Sequence, residues 1–211
     1  MTGRGRLITL EGGEGAGKST LLAGLRAHLE SRGVDLLLAR EPGGTGLGER
    51  VRGILLDPAQ HAMCAESELL LMFAARAQLV RETLLPALAA GSWVLCDRYV
   101  DASYAYQGGG RGQPVERIAA LEQWVCAGLE SDLTLLLDLP VAAGRARAAG
   151  RGEADRIEGE ADGFFERVRA AYRARAVAEP QRFRVIDAGQ SPEAVLRDAV
   201  AATAHLFEGK A

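Results

Sequence analysis

The sequence contains very little lysine. Lys18 and Lys210 are the two lysines among the 25 lysine and arginine residues of this 211-residue chain. An ammonium group is a compact point charge, whereas the guanidinium group of arginine is planar and presents a fork of N–H donors. A chain that uses arginine almost everywhere, yet has lysine at position 18, indicates a site there that requires an ammonium group.

Cysteine, long apolar runs and excess positive charge are also scarce. The three cysteines, Cys64, Cys96 and Cys126, are odd in number and form no Cys-x-x-Cys pair, which argues against a disulfide framework and a zinc site. The chain shows neither an apolar signal segment near its start nor a run of about 18 apolar residues that could cross a bilayer. The net charge of −3 is not typical of a nucleic-acid-binding protein. We therefore expect a cytoplasmic protein that binds neither membranes nor nucleic acid.

The apolar pattern predicts one α/β domain spanning residues 1–211. A hydrophobic content of 48% is enough for a substantial core. Five short apolar runs are typical of buried parallel strands, and helical patterns separate them: strands at 7–10, 34–39, 93–96, 133–137 and 183–186, helices at 20–31, 47–56, 66–89, 114–127, 161–177 and 192–207. The predicted fold has three layers, with helices on both faces of a five-stranded parallel sheet.

Lys18 belongs to a complete P-loop between the first predicted strand and the first predicted helix. Glycines let consecutive backbone N–H groups turn toward nucleotide phosphates, the lysine reaches the β- and γ-phosphates, and the Ser19 hydroxyl can ligate Mg²⁺. Strand, loop and helix follow one another in the required order. We therefore predict nucleotide binding by residues Gly12, Gly13, Glu14, Gly15, Ala16, Gly17, Lys18, Ser19 and Thr20.

Polar residues follow each predicted strand, where ligands of parallel sheets collect. Asp97 ends the third strand, as expected of an acid that holds Mg²⁺ together with the P-loop serine, although an ion pair with Arg98 would also explain it. Arg98 itself can bind a second, acceptor phosphate in a bidentate way, through two of its N–H donors. The chain has neither Asp-x-x-Gly after the third strand nor Asn-Lys-x-Asp, which argues against a GTPase switch. Phosphoryl transfer is favoured over hydrolysis.

The segment at about residues 145–159 is predicted to be a short mobile lid. It is charged and punctuated by glycine, and Arg147, Arg151 and Arg156 lie in or beside it. Any of these arginines could stabilise the transferring phosphoryl group, and closure would exclude water. A surface loop with solvated charges is the alternative.

Six blocks of sequence together resemble bacterial thymidylate kinases. They are residues 11–20, 40–45 (Arg-Glu-Pro-Gly-Gly-Thr), 97–99 (Asp-Arg-Tyr), 105–112 (Ala-Tyr-Gln-Gly-Gly-Gly-Arg-Gly), 155–158 and 187–188. The blocks run in order over essentially the whole chain. The resemblance implies a five-stranded P-loop kinase fold, Mg²⁺-dependent transfer of phosphate from ATP to dTMP for dTTP synthesis, and a homodimer.

The resemblance also implies roles for individual residues. It gives catalytic roles to Lys18, Arg98 and the lid residues Arg147 and Arg151, an ATP contact to Ala188, and Mg²⁺ to Ser19 and Asp97. Glu14 would meet the sugar 3′-hydroxyl, and Tyr106 would crowd a 2′-hydroxyl. The remaining implied contacts are Arg52 and Arg98 with the acceptor phosphate, Pro42 and Arg76 with thymine, and Ser103, Tyr106 and Gln107 with base and deoxyribose.

The sequence departs from the family's pattern at the side chain that would cover thymine. Related enzymes often place a stacking phenylalanine four residues before the pocket arginine, but here Met72 takes that place and Phe73 lies three residues before Arg76. Either Phe73 stacks on the base, or Met72 covers it while Phe73 packs in the core.

Two other functions remain open on the sequence. The first is a P-loop kinase for another nucleoside monophosphate or for a deoxynucleoside, which would differ in the base pocket. The second is an ATPase that moves a partner, which would hydrolyse ATP without an acceptor. The long helix predicted at 66–89 could supply a dimer face or could be buried within one subunit.

Overall fold

The computed structural model describes residues 4–149 and 154–207, and these form a five-stranded parallel sheet. The strand order is β2-β3-β1-β4-β5, so β1 pairs with β3 on one side and β4 on the other. The strands are β1 (Leu7–Gly12), β2 (Leu36–Arg40), β3 (Trp93–Asp97), β4 (Leu133–Asp138) and β5 (Phe183–Asp187). The predicted α/β class and all five predicted strands are confirmed.

Helices connect the strands and cover both faces of the sheet. They are α1 (Lys18–Ser31), α2 (Gly46–Leu56), α3 (Ala65–Leu79), α4 (Leu85–Ala89), α5 (Val100–Ser103), α6 (Val115–Cys126), α7 (Val141–Ala148), α8 (Asp162–Ala178) and α9 (Pro192–Thr203). Short 3₁₀ turns lie at Pro58–Gln60 and Ala204–Phe207, and π-helical segments at Val80–Leu84 and Tyr104–Gly110. Among the described helices, none combines the length and apolarity that crossing a bilayer requires.

Strand β1 contributes to the hydrophobic core on both faces of the sheet. Leu7 packs into a cluster with residues of α3 and α6, while Ile8 and Leu10 pack into a second cluster with residues of α1 and α9. Successive side chains of a strand point to opposite faces, so a strand covered on both faces needs apolar residues at nearly every position. This is why the strands are recognisable as short apolar runs.

The continuous helix predicted at 66–89 is interrupted in the structure. The π-helical segment Val80–Leu84 separates α3 from α4, and the Leu85 N–H donates to the Val80 carbonyl, five residues earlier. Pro86 lies in the first turn of α4. Proline has no N–H to donate and its ring crowds the carbonyl four residues earlier, so the regular α-helical ladder cannot continue through it.

Part of the predicted lid is helical, because α7 extends to Ala148. Residues 154–159 form a turn in which Asp155 Oδ1 accepts hydrogen bonds from the N–H groups of Ile157 and Glu158, each at 2.8 Å. The Arg156 N–H donates to the Leu56 carbonyl at 3.0 Å. The turn therefore lies against the end of α2.

Candidate active site

The P-loop and the ends of the central strands meet at one edge of the sheet. Asp97, the last residue of β3, lies opposite Leu10 of β1 and Arg40 of β2. The polar strand ends therefore come together as predicted. Asp138 at the end of β4 instead forms an ion pair with Arg169 of α8 at 2.7 Å.

A cavity of about 440 Å³ opens at this edge. This is in the range of roughly 300–1,000 Å³ that is usual for small-molecule sites. The side chains around it come from the P-loop, the strand ends, α2, α3, the π-helical segment after α5 and the turn at 154–159. They include Glu14, Lys18, Ser19, Arg40, Pro42, Arg52, Met72, Asp97, Arg98, Tyr106, Gln107, Asp155 and Glu158.

Lys18 lies within the P-loop with its ammonium group held by the backbone. Its Nζ donates to the carbonyls of Gly12 at 3.1 Å and Gly13 at 2.9 Å. Burial, reinforced by the charge of Arg98, lowers the pKa of Lys18 to about 8. Gly15 and Gly17 have φ values of 70° and 91°, which glycine adopts without steric cost. A phosphate bound here would meet a preformed cradle and would favour the charged lysine.

Arg98 extends back over the P-loop from a strained backbone. Its φ of 67° is unusual for a residue with a side chain and costs roughly 1–3 kcal/mol. Its guanidinium donates to the Gly12 carbonyl at 2.9 Å, to Glu14 Oε1 at 2.6 Å and to the Tyr106 hydroxyl at 2.9 Å. The structure therefore brings together Glu14, Arg98 and Tyr106, three of the residues predicted to surround the acceptor.

Glu11 and Tyr172 support Arg98, and the sequence analysis did not assign a role to either. The fully buried Glu11 accepts hydrogen bonds from the Tyr99 N–H at 2.7 Å and the Tyr172 hydroxyl at 2.6 Å. The Tyr172 hydroxyl in turn accepts from Arg98 at 3.1 Å. Burial, with a contribution from Asp101, raises the pKa of Glu11 to about 8. Glu11 was visible in the sequence as a charged residue at the end of an apolar strand.

Ser19 and Asp97 both line the cavity, and their chemistry suits Mg²⁺. Asp97 Oδ1 is buried and accepts no hydrogen bond from any residue that the structure describes. Oxygen atoms of hydroxyl and carboxylate groups are ligands that Mg²⁺ prefers, and it commonly takes its remaining ligands from water and substrate phosphates. In the described part of the chain no three His, Cys, Asp or Glu side chains gather as a complete metal site. The residues thus fit a cation that arrives with a nucleotide.

The apolar end of the cavity distinguishes Met72 from Phe73. Met72 lines the cavity, whereas Phe73 is buried in the core with the Arg76 guanidinium 4.5 Å from its ring centre. The structure therefore places Met72 at the cavity surface and Phe73 in the core.

Arg76 and Ser103 lie behind the cavity wall rather than in it. The fully buried Arg76 donates to Glu41 Oε2 at 2.7 Å and to Ser103 Oγ at 3.0 Å. Glu41, Pro42 and Gln107 line the cavity, as does Arg52, which donates to the Pro42 carbonyl at 2.9 Å.

Arg147 and Ala188 lie on the outer side of the P-loop. Arg147 donates to the Ala188 carbonyl at 2.7 Å, and both line a second cavity of about 300 Å³ with Gly15, Ala16 and Gly17. In this arrangement Arg147 is directed away from the 440 Å³ cavity that holds Lys18. Arg151, the other predicted lid arginine, lies outside the described residues.

Arg156 anchors the turn at 154–159 through Glu68, which the sequence analysis missed. Arg156 forms an ion pair with the buried Glu68 at 2.8 Å and donates to the Leu55 carbonyl at 2.8 Å. Glu68 also pairs with Arg111 at 3.1 Å. Because Glu68 precedes Met72 by one helical turn, a charge on the buried face of α3 was the sequence signal that could have revealed it.

Comparison with known proteins shows extensive similarity to one family. The family model described as "Thymidylate kinase" matches residues 10–199. Thymidylate kinase of Pseudomonas putida strain GB-1 is 60% identical over 194 residues, covering 92% of each chain. That of Ectopseudomonas mendocina strain ymp is 58% identical over 204 residues, covering 97% of each chain. That of Alkalilimnicola ehrlichii is 59% identical over 194 residues, covering 92% of this chain and 89% of the relative.

Proposed function

The chain belongs to the thymidylate kinase family and is a dTMP kinase, and we propose that the 440 Å³ cavity is where it transfers the γ-phosphoryl group of ATP to dTMP. The products are dTDP and ADP, and the reaction supplies dTTP for DNA replication. We place the whole activity in one domain, residues 1–211, in the cytoplasm.

One observation carries the assignment of the cavity. Lys18 and Ser19 of the P-loop share this cavity with a second group of cations, Arg40, Arg52 and Arg98, and with the apolar Met72. A hydrolase needs cationic groups around one set of phosphates only. A kinase for a nucleoside monophosphate needs a second phosphate site and a place for the acceptor's base, and the second group of cations and Met72 support both in this cavity.

The donor side consists of the P-loop and the cavity on its outer side. We propose that residues 12–20 bind the phosphates of ATP, with Lys18 as the group that stabilises charge on the transferring phosphoryl group. Ala188 would contact the adenine in the outer cavity, which it lines with Gly17 and Arg147. Ser19 and Asp97 would hold Mg²⁺, which supplies further neutralisation of phosphate charge when it is bound.

The acceptor side consists of Arg98 and the residues around it. Arg52 and Arg98 would bind the dTMP phosphate, and Glu14 the 3′-hydroxyl. The Tyr106 ring, fixed by hydrogen bonds to Arg98 at 2.9 Å and Glu14 at 3.1 Å, would exclude a 2′-hydroxyl. Thymine would lie between Pro42, Met72 and Gln107. Arg76, Phe73 and Ser103 would act indirectly, from behind the wall that Pro42, Met72 and Gln107 form.

Catalysis then requires only orientation, charge stabilisation and exclusion of water. No side chain needs to form a covalent intermediate, because the dTMP phosphate oxygen attacks the γ-phosphorus directly and ADP leaves. The turn at 154–159 contributes Asp155 and Glu158 to the cavity and would therefore cover the acceptor. Arg147 and Arg151 are proposed as lid residues that reach the phosphates once both nucleotides are bound; for Arg147 this requires release from the Ala188 carbonyl.

A homodimer is proposed from apolar side chains on neighbouring helices. Ile54 of α2, Leu70 of α3 and Val115 and Trp124 of α6 are exposed, and α3 contacts both other helices. The exposed fraction of Trp124 is 78%. Exposed apolar residues grouped in this way often mark a protein interface. Sedimentation of the wild-type protein and of Trp124→Glu tests this: a dimer that becomes a monomer supports it, and a wild-type monomer contradicts it.

The experiment that tests the proposed function is ADP formation from ATP and Mg²⁺ with a panel of acceptors. The panel contains dTMP, dUMP, UMP, dCMP, AMP, GMP and thymidine, with a reaction lacking acceptor as control. Strong preference for dTMP is expected. Preference for another monophosphate would contradict the base assignment, and equal turnover without acceptor would indicate an ATPase.

A further inference from the structure

Gln107 is a polar side chain that lines the cavity, and its amide nitrogen already donates a hydrogen bond. Its Nε2 donates to Glu68 Oε1 at 2.9 Å. Its Oε1 is buried and has no hydrogen-bond partner among the described residues, although Gln107 lines the cavity. The carboxylate of Glu68 lies behind Gln107, and it is 1% exposed.

The charge of Glu68 determines which way the amide of Gln107 is turned. An ionised carboxylate can only accept hydrogen bonds, so it must face the NH₂ group and not the carbonyl oxygen. Arg111 at 3.1 Å and Arg156 at 2.8 Å pair with Glu68 and favour its ionised form. Burial by itself would raise the pKa of Glu68, but the hydrogen bond from Gln107 and the charge of Arg111 outweigh it and lower the pKa. The amide therefore directs its unpaired Oε1 acceptor away from Glu68, in a residue that lines the cavity.

We propose that Glu68 is a positioning residue that makes the base end of the cavity selective for pyrimidines with a hydrogen at N3. Thymine and uracil carry an N3–H donor, which matches the Oε1 acceptor of Gln107. The N3 atom of cytosine is itself an acceptor, so the two lone pairs would face each other and neither would be satisfied. This inference rests on the proposed function, since it assumes that the base of the acceptor lies against Gln107.

The test is the ratio of kcat/KM for dTMP to kcat/KM for dCMP in the wild type and in Glu68→Gln. A glutamine at 68 can accept or donate, so Gln107 is free to turn and present either atom. One unmatched buried polar contact is worth about tenfold or more in discrimination, and the dTMP-to-dCMP ratio should fall by at least about that factor in Glu68→Gln.

A reciprocal variant separates amide orientation from general damage to the cluster. In Glu68→Gln combined with Gln107→Glu, the amide at 68 donates to the carboxylate at 107, which again presents only acceptor oxygens to the cavity. The ratio should recover in this double variant. Arg156→Gln is the matched control, because Arg111 still pairs with Glu68 and favours its ionised form, and the bond from Gln107 to Glu68 Oε1 is untouched. It should leave the ratio unchanged even if turnover falls.

The outcomes separate the two proposals. Wild-type protein that fails to phosphorylate dTMP would contradict the proposed function. Wild-type protein that prefers dTMP, with an unchanged ratio in a folded Glu68→Gln variant, would overturn only the role of Glu68. If that variant does not fold, a crystal structure of the wild type with dTMP decides: Gln107 must bridge Glu68 and thymine N3, and absence of either contact overturns the inference.

Discussion

At the scale of single residues, the site depends on a few side chains that have no equivalent replacement. Lys18 is buried among backbone carbonyls, and Arg98 bridges Gly12, Glu14 and Tyr106. A guanidinium in place of the Lys18 ammonium would need more room and would orient its donors in a plane. This geometry explains why position 18 is a lysine in a chain that uses arginine almost everywhere else.

We expect Lys18→Ala and Lys18→Arg both to lower kcat by roughly 10²–10³ or more, since each removes a compact charge from the transferring phosphoryl group. Steady-state kinetics with dTMP measures this. Circular dichroism provides the control that the variants are folded. Near-normal turnover of a folded Lys18→Ala variant would contradict the role of the P-loop.

Tyr106 provides a second residue-scale prediction, which concerns the sugar. Tyr106→Ala opens space beside the acceptor's C2′ and should reduce the preference for dUMP over UMP. Tyr106→Phe retains the ring and loses only the hydroxyl contacts to Glu14 and Arg98, so it should retain the preference while lowering kcat/KM. The ratio of kcat/KM for the two acceptors is the measurement. An unchanged ratio in Tyr106→Ala would assign sugar selection to another residue.

At the scale of elements, the P-loop is shaped by the helix that packs against it. A Cβ added at Gly144 of α7 would lie 2.4 Å from the Glu14 carbonyl, and one at Gly15 would lie 2.0 Å from the Gly144 carbonyl. Backbone therefore meets backbone directly between α7 and the P-loop. The sequence shows the glycine in the loop as a motif but gives no reason for the one in the helix.

Gly144→Ala and Gly53→Ala form a matched pair that tests this contact. Both glycines lie within helices, where alanine is ordinarily more stabilising by roughly 0.5–1 kcal/mol. A Cβ at Gly53 meets nothing within 4 Å, so Gly53→Ala should raise the melting temperature. Gly144→Ala should instead lower both the melting temperature and ATP affinity, because it displaces the P-loop. Calorimetry measures the melting temperature, and ATP titration measures the affinity. Stabilisation by Gly144→Ala would show that the contact between α7 and the P-loop is not tight.

At the scale of the whole molecule, burial of charge at the sheet edge couples stability to pH. Glu11 has a pKa of about 8 in the folded protein against 4.5 for an ordinary glutamate, so the folded state binds more protons than the unfolded state between these values. Its contribution to stability is complete below pH 4.5 and is lost as the pH rises to about 8. Lys18 has a pKa of about 8 in the folded protein against 10.5 for an ordinary lysine. The folded state therefore binds fewer protons than the unfolded state between these two values, and the free energy of unfolding rises from pH 8 to 10.5.

We therefore expect the nucleotide-free protein to lose stability between pH 5 and pH 8, apart from the contributions of other groups. Glu11→Gln cannot titrate and should show a smaller decrease over this interval. Chemical denaturation of both proteins at a series of pH values measures the difference in slope. Equal slopes for the two proteins would contradict the burial of a titrating Glu11.

The fold class, the five strands and the P-loop could be predicted from the amino-acid sequence without coordinates. These depend on local information, since a strand covered on both faces must be apolar and a phosphate cradle must have glycine and lysine at fixed spacing. Parallel strands all end at the same edge of a sheet, so Asp97 and Arg98 could be predicted near Lys18 without coordinates.

The groups that each side chain contacts could be read only from the folded structure. It placed Met72 in the cavity and Phe73 in the core, directed Arg147 to the Ala188 carbonyl, and buried Arg76 against Glu41. It also joined Glu68 to Gln107 across 39 positions of sequence. Such partners are selected by the packing of separate elements and by the need to pair every buried charge, and neither leaves a pattern at short range in the sequence.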